Sequence, residues 1–442
     1  MNIIFVIMRF DERNVKHALT GNRPNKYDSY IRRGCNEAGG EMKFLNISRR
    51  YFLKNLSYSV LASKLDLIEG SISRKEKEST IVRVHDASAS HPWDYDRSRP
   101  WNHNVEPASL DDMKNSKFRS DRYYDHIDEA VVASMLERGL KELTGAASTK
   151  EAWNNLLTNY KNTDHVTIKI NLNNASYNEE ITTNRMDQTI PLINAVISNL
   201  VENGLFAEKD IIVADPSRWI HPLILKKRCK FKNINWVDSR SSDLWDHSET
   251  VKFTIDQPVR PENTSFPENV PFYLAKVYTK ADHIINLCLL KNHGCGITGA
   301  MKNHFGAIPP PSPKFLHTGL GEKSYIADLC NTRSIKNKVR INICDGIFAN
   351  WHDNVWSPRP WKTFLEKSPN SLFFGTDPVA FDSVLLQHIT DEVNSQGENA
   401  PRWVREAVKK HHFLHHAMGY HRLGTHEHMP FKDINYRQIK NS

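Results

Sequence analysis

Apolar positions recur in two rhythms along this chain. From about residue 127 onward, helical spacing alternates with short unbroken apolar runs. Ile127, Val131, Met135, Leu136, Leu140 and Leu143 fall on one helical face, and Gly145 supplies a left-handed stop. Ser148-x-x-Glu151 is a capping box that opens a second helix. A strand is expected over 165–172, a helix over about 189–203 with Gly204 as its stop, and a strand over 210–214. Residues 233–238 and 251–255 are short strand candidates. Helix over 272–280 leads into a strand at 284–290. Further on come a helix over 325–331 and strands over 339–344 and 372–375. Thr376 or Asp377 caps a helix that begins at Pro378 and runs to about Ile389, and residues 403–418 form a last helix.

Alternating strands and helices, with several strands apolar on both faces, predict an α/β fold. Its sheet is mostly parallel, with helices on both faces. Residues 70–126 are polar, rich in Arg, Asp, Ser, Trp and Tyr, and read as an irregular arm or linker with Trp93 and Trp101 as docking points. The α/β domain is expected over 127–442.

Polar residues gather where the predicted strands end. Lys169 and Asn171, Asp215 and Ser217, Lys291 and His293, Asp345, then Thr376 and Asp377 each follow an apolar run. Ligands of open α/β sheets bind outside the carboxyl ends of the strands. If all five strands are parallel, the five sets share one rim. The bland alternative is that polar residues simply begin where strands stop.

The stretch 284–311 is the densest part of this pattern. Lys291-Asn292-His293 ends its strand, a loop with Gly294, Gly296 and Gly299 follows, and Lys302-Asn303-His304 comes next. Lys169, Lys291 and Lys302 suit a carboxylate or phosphate, and a desolvated lysine can act as base or imine-forming nucleophile. His293, His304, His317, Asp345 and Asp377 are donor types suited to Fe, Zn or Mn, although ligands from separate loops have no spacing signature. Asp345 and Asp377 pairing with the lysines is the alternative. His411, His412, His415 and His416 form two i, i+4 pairs, which fit either a metal chelate or an exposed histidine-rich helix. The segment 351–361, WHDNVWSPRPW, reads as a lid or as an anchored loop.

Composition narrows the function classes. A net charge of +8 and pI near 9.0 are spread thinly, without a Lys/Arg block, so an anionic small molecule fits and nucleic acid does not. No apolar run reaches the ~20 residues of a membrane helix. The cysteines Cys35, Cys229, Cys288, Cys295, Cys330 and Cys344 lack Cys-x-x-Cys spacing, so no iron–sulphur or zinc-ribbon motif is present. Cys288, Cys330 and Cys344 read as core thiols, and Cys295 lies in the glycine loop. Walker, Rossmann, G-x-S-x-G and H-E-x-x-H motifs are all missing.

Two resemblances add to this. Ser48-Arg49-Arg50-Tyr51-Phe52-Leu53-Lys54 resembles a twin-arginine export signal. In that reading Met42 is the start, 42–69 is the signal and 1–41 an upstream extension. Its uncharged stretch is short and no A-x-A cleavage site follows. The expected location is periplasmic or exported, with export machinery as a partner and the cytoplasm as the alternative.

The run KNHGCGITGAMKNHFG, then Leu316-His317, Ala327–Leu329, ICDG at 343–346 and TDPVAFD at 376–382, resembles the domain-of-unknown-function family 362. The similarity extends from about Ile127 to Leu423-Gly424-Thr425. The resemblance implies an α/β domain, frequent twin-arginine export and, through relatives with an iron–sulphur module, a hint of redox chemistry. Its matched positions here are Lys291, His293, Thr298, Lys302, Asn303, His317, Asp345, Asp377 and Asp382.

The expectation is therefore an enzyme, oxidoreductase being the named class, acting on a small anion. Lys291, His293, Lys302 and Asn303 are the catalytic candidates. Lys169, Asn171, Asp215, Ser217 and Thr298 are the ligand-binding candidates. His317, Asp345, Asp377 and Asp382 are the metal candidates, a divalent ion being the cofactor envisaged. A non-catalytic anion- or metal-binding protein is the alternative.

Overall fold

A computed structural model describes residues 78–93, 95, 123–173, 186–220, 225–252, 272–294, 296–309, 319–320, 323–352, 358–365 and 367–441. The export-signal stretch Ser48–Lys54, Trp101, Cys35, Cys295 and His317 lie outside them. In chain order the strands are β1 (Ser79–His85), β2 (Val166–Lys169), β3 (Ile211–Asp215), β4 (Asn235–Asp238), β5 (Trp245–Thr250), β6 (Tyr273–Ala275), β7 (His283–His293), β8 (Gly296–Ile297), β9 (Gly319–Leu320), β10 (Lys323–Ser324), β11 (Val339–Asn350), β12 (Ser371–Gly375) and β13 (Ile434–Lys440). The helices are α1 (Glu129–Thr144), α2 (Thr149–Leu156), α3 (Ile190–Glu202), α4 (Lys276–Thr279), α5 (Ala300–Asn303), α6 (Tyr325–Cys330), α7 (Arg333–Lys338), α8 (Pro378–Gln396), α9 (Arg402–Ala407) and α10 (His412–Gly419).

Local sequence accounts for the helix ends. Asp128 accepts from the Ala130 and Val131 N–H groups to start α1, and Gly145 ends it at φ 70°. At α2 the Glu151 N–H donates to Ser148 Oγ at 3.2 Å, while the Glu151 carboxylate accepts from Ala147 N–H at 3.0 Å. Asp377 takes the Val379 and Ala380 N–H groups at 2.8 and 2.9 Å and Pro378 opens α8, which runs on to Gln396. The final helical stretch is two helices, α9 and α10, rather than one.

The main sheet has nine strands in the order β13-β1-β12-β11-β7-β2-β3-β4, with β8 paired to β7. The block β11-β7-β2-β3-β4 is parallel throughout. Strand β12 runs antiparallel to both β11 and β1, and β13 is parallel to β1. One face carries Val132, Leu140, Trp153 and Ile193 from α1, α2 and α3. The other carries Ile326, Phe381, Leu385 and Leu414 from α6, α8 and α10. Apolar side chains thus cover both faces of the parallel block, which is why its strands read as continuous apolar runs.

Three expectations change. Ser79–His85, placed in the irregular arm, is a sheet strand, with Ile81, Val82 and Val84 buried. Residues 253–255 of the strand expected over 251–255 lie outside the described residues, and β6, paired with Trp245–Thr250 outside the main sheet, replaces the first turn of the helix expected over 272–280. Strand β11 does not stop at Cys344. It continues through Asp345 to Asn350, with a register shift against β7. Cys288, Cys330 and Cys344 are buried free thiols in the core, as expected, and so is Cys229.

Candidate functional site

The parallel strands β2, β3 and β7 end side by side, delivering Lys169, Asp215 and Lys291 to one rim. After β7 the chain doubles back. Asn292 pairs with Ile297 and His293 with Gly296, and the Thr298 N–H donates to Lys291 O at 3.0 Å. The chain then enters α5, one turn long and too short to hold itself. Asp382 of α8 anchors it by accepting from Ala300 and Met301 N–H at 2.6 and 3.0 Å. A Cβ on Gly299 would sit 2.1 Å from the Asp382 carboxylate, so only glycine permits this approach. Burial raises the Asp382 carboxyl to about 7, against the pull of those two N–H groups.

Anchored in this way, α5 lays Asn303 into a buried amide network. Its Oδ1 accepts from Lys169 Nζ at 3.1 Å and Asn171 Nδ2 at 2.8 Å. Its Nδ2 donates to Asn286 Oδ1 at 2.7 Å and Leu287 O at 2.8 Å. Asn286 in turn donates to Asn342 Oδ1 at 2.8 Å across the β7–β11 register. All four hydrogen-bonding positions of Asn303 are thus used, which fixes its orientation.

Charge collects around this network. Lys169, 1% exposed, lies 3.4 Å from the Asp215 carboxylate. Asp215 also accepts from Ser217 Oγ at 2.9 Å and from the Leu172 N–H at 3.2 Å. A Cβ on Gly306 would fall 2.9 Å from both Asp215 Oδ1 and Lys169 Nζ, so the backbone of the K-N-x-F-G segment lies directly against the pair. Burial lowers the Lys169 pKa, and Asp215 opposes that. His304 is buried beside Lys169 and Tyr278. Desolvation, then the lysine charge, pushes it to about 3, so it is neutral.

Lys291 is 1% exposed, and its Nζ donates to Asn171 Oδ1 at 2.8 Å. Desolvation pushes its pKa well down, the Lys302 charge adds to this, Arg218 adds less, and Asp187 and Asp215 oppose it. Arg218 Nε, Thr298 Oγ1 and Gln188 Oε1 are buried without a hydrogen bond. Their residues adjoin groups that act on Lys291. Thr298 bonds its carbonyl, Arg218 acts on its charge, and Gln188 follows Asp187. Native proteins leave few such groups unpaired, and an unplaced ligand is one explanation for those that remain. Two of the three are donors, and they stand with a buried lysine whose charge is raised in energy by two other cations. That donor set suits an oxyanion.

The remaining predicted residues go elsewhere. Asp377 is at the opposite end of the strands, because antiparallel β12 delivers its carboxyl end beside the start of β11. Its carboxylate caps α8 and accepts from Ser79 Oγ at 2.5 Å and Thr425 N–H at 2.9 Å. Asp345 lies within β11 and accepts from Thr189 Oγ1 at 2.6 Å, Gln188 Nε2 at 3.1 Å and Ile347 N–H at 3.2 Å, which ties the start of α3 to the sheet. Asp345, Asp377 and Asp382 each serve a different backbone element rather than one metal centre. His293 is half-buried at the end of β7, its N–H bonded to Asn292 Oδ1 at 2.7 Å. Trp351 and Trp361, at the two ends of the 351–361 segment, are buried in the core, while residues 353–357 between them lie outside the described residues.

Arg218, Gln188, Asn286 and Asn342 are site residues that the strand-end rule misses. The two asparagines did carry a signal. An amide inside an otherwise apolar strand must find a partner, and here they partner each other.

Fold and geometry together define an α/β protein with a buried cluster of basic and amide side chains at the carboxyl rim of a parallel block. The chain belongs to the family described as "Domain of unknown function (DUF362)", which it matches over residues 166–387. That span holds β2 through most of α8, and with them every residue of the rim. No curated protein matches the chain. Among the described residues no helix is long and apolar enough to cross a membrane.

Proposed function

We propose that the rim formed by Lys291, Lys302, Arg218 and Thr298 binds a small oxyanion, a carboxylate or phosphate, as substrate or as the anionic part of one. The observation that carries this is a deeply buried lysine whose charge Lys302 and Arg218 both oppose, with Thr298, whose hydroxyl is buried and unpaired, bonded to its carbonyl. Burying Lys291 protonated is costly, and an anion offsets that cost directly. Asn171 aims Nζ, Asn303 holds Asn171, and Asp382 holds the helix that carries Asn303. The lysine is therefore positioned by a chain of buried contacts, as a reacting group requires.

Burial lowers the Lys291 pKa, which brings its amine closer to the form that acts as base or nucleophile. This favours an enzyme over a passive binder, with Lys291 Nζ as the base or nucleophile and Lys302 and Arg218 as the anion clamp. The oxidoreductase expectation rests on the family resemblance, and export rests on the Ser48–Lys54 stretch together with that resemblance. The geometry adds no weight to either.

The test is thermal unfolding of the full chain at low ionic strength with inorganic phosphate, sulfate and a panel of small carboxylates. A site that binds shifts the midpoint by linkage, about 2.7 kcal/mol at a hundredfold excess over Kd. Lys291→Met and Thr298→Val should each weaken the effective anion at least tenfold. The idea fails if no anion moves the midpoint, or if Lys291→Met responds like the parent. Borohydride trapping with small carbonyl compounds, read by mass spectrometry, separates the two catalytic roles: a label on Lys291 marks a nucleophile.

A further inference from the structure

Four histidines far from the rim residues in sequence come together near the C-terminus. His411 precedes α10 as its N-cap, His415 lies one turn along it, and His426 and His428 follow in the segment leading to β13. Each offers one ring nitrogen, and all four nitrogens lie within 4.8 Å of one another. Ring centroids are 4.6 Å apart for His415 and His426 and 4.9 Å apart for both His411–His428 and His426–His428.

Proximity alone would not make a site, but the hydrogen bonds around His426 add a second fact. His426 Nδ1 lies 2.7 Å from Ser383 Oγ, and that hydroxyl donates its single proton to Val379 O at 2.8 Å. The hydroxyl must then accept from the imidazole, so Nδ1 carries the proton. The lone pair is left on Nε2, which is buried and has no hydrogen-bond partner in a side chain only 7% exposed. An imidazole held through one nitrogen by a buried acceptor, with the other bare, is the arrangement of a metal-ligating histidine and its outer-shell partner. His411 Nδ1 and His415 Nε2 meet at 3.0 Å, so one proton is shared where a cation would replace it.

We infer that His411, His415, His426 and His428 form a site for one divalent transition-metal ion of the zinc class. Four neutral imidazoles suit borderline metals and not Mg²⁺ or Ca²⁺, which want oxygen. Tetrahedral Zn–N bonds of ~2.0 Å give nitrogen–nitrogen edges of about 3.3 Å, so closing the site takes side-chain shifts of about an ångström. Four protein ligands leave no open position, which makes the site structural. The metal would clip the segment after α10 to the start of that helix. Lys410, next to His411, donates to Gly294 O at 2.8 Å, and a Cβ on Gly296 would meet Lys410 O at 2.3 Å. The clip would therefore brace the loop between β7 and β8.

A second group, Asp328, His416 and His421, serves as the control. There His421 Nε2 already bonds Asp328 at 2.7 Å and His416 Nδ1 accepts from Ser324 N–H at 2.8 Å, so the protein itself satisfies the donors.

The test uses the full chain, without added histidines and stripped by chelator. Zn²⁺ is titrated calorimetrically and Co²⁺ by visible absorption. One equivalent of Zn²⁺ and the intense d–d bands of tetrahedral Co²⁺ are expected. His428→Gln removes an exposed ligand and should abolish the tight equivalent, and His421→Gln should leave it intact. Ser383→Ala, which touches no metal, should weaken Zn²⁺ about 10–100-fold by freeing the His426 ring. Zn²⁺ should raise the unfolding midpoint of the parent and not of His428→Gln. The inference is overturned by an absence of Zn²⁺ binding, by pale octahedral Co²⁺ spectra, by His428→Gln binding as the parent does, or by loss of the equivalent in His421→Gln.

Discussion

Truncating Asn303 to alanine leaves four partner groups short at once. Lys169 Nζ and Leu287 O keep other contacts: the lysine has Asp215 and Ile170 O, and the carbonyl belongs to a paired strand. Asn171 Nδ2 and Asn286 Oδ1 lose their bonds to Asn303 at 2.8 and 2.7 Å. Each is nine-tenths buried or more. A buried polar group left unmade costs ~1–3 kcal/mol, so the two together cost about 2–6 kcal/mol. A water entering the vacated space lowers that figure, since it would find several polar partners there. About 3–4 kcal/mol is the expected loss, measured by urea unfolding of the full chain followed by tryptophan fluorescence. The network also makes a second prediction. Asn303→Ala and Asn286→Ala remove the same bond, so the double variant should be less destabilised than the sum by at least about 1 kcal/mol. A cost below ~1 kcal/mol for Asn303→Ala, or strict additivity in the cycle, would show that the amides are independent surface-like groups and refute the network.

Three further outcomes follow from the buried charges. Lys291 has its folded pKa below the ordinary ~10.4, so the unfolded chain binds more protons across that window and stability rises as pH climbs through it; Lys291→Met should flatten that rise, seen by subtracting the two stability–pH profiles. Asp382 titrates near 7 in the folded protein against an unfolded value of 3.8, so stability falls as pH rises between them; Asp382→Asn should remove about one proton from that slope, although it also loses one N–H acceptor, and an unchanged slope would place the charge elsewhere. Asp377→Ala should cost about 2–4 kcal/mol through the lost cap and the bonds to Ser79 and Thr425, yet leave the anion-dependent midpoint shift intact; a lost shift would mean that the two ends of the strands communicate.

The parallel half of the fold was legible because β2, β3 and β7 are covered on both faces and their sequences show it. Strand β12 was not legible in direction, since Ser371–Gly375 reads the same either way. A clue existed: a parallel neighbour requires a crossover, usually a helix, and residues 351–370 show no helical period. Asp377 was drawn to the wrong end of the strands for this reason. Strand β1 escaped notice because Ser79–His85 alternates with Arg83 and His85 and sits in polar surroundings. At the rim, hydrogen bonds and an ion pair link Lys169, Asn171, Asp215, Ser217 and Lys291, which lie at strand ends, with Asn303 of the loop that follows β7. Arg218 was passed over because it follows the turn after β3, beyond the positions a strand-end rule inspects. His426 and His428 lie in a loop whose path no periodicity predicts, so only three dimensions join them to His411 and His415.

The pairing of β1 with β13 joins Ser79 to Ile434 and His85 to Lys440, residues at nearly opposite ends of the described chain. A ribosome delivers the first of these strands long before the second. Until residues 434–440 emerge, β1 presents an unpaired edge on one side, the kind of surface that recruits other chains. The family-matched region 166–387 is complete by then, while its border is not. A chain stopped before Ile434 should carry a formed rim yet aggregate through β1, and soluble yield should rise sharply once 434–440 is included.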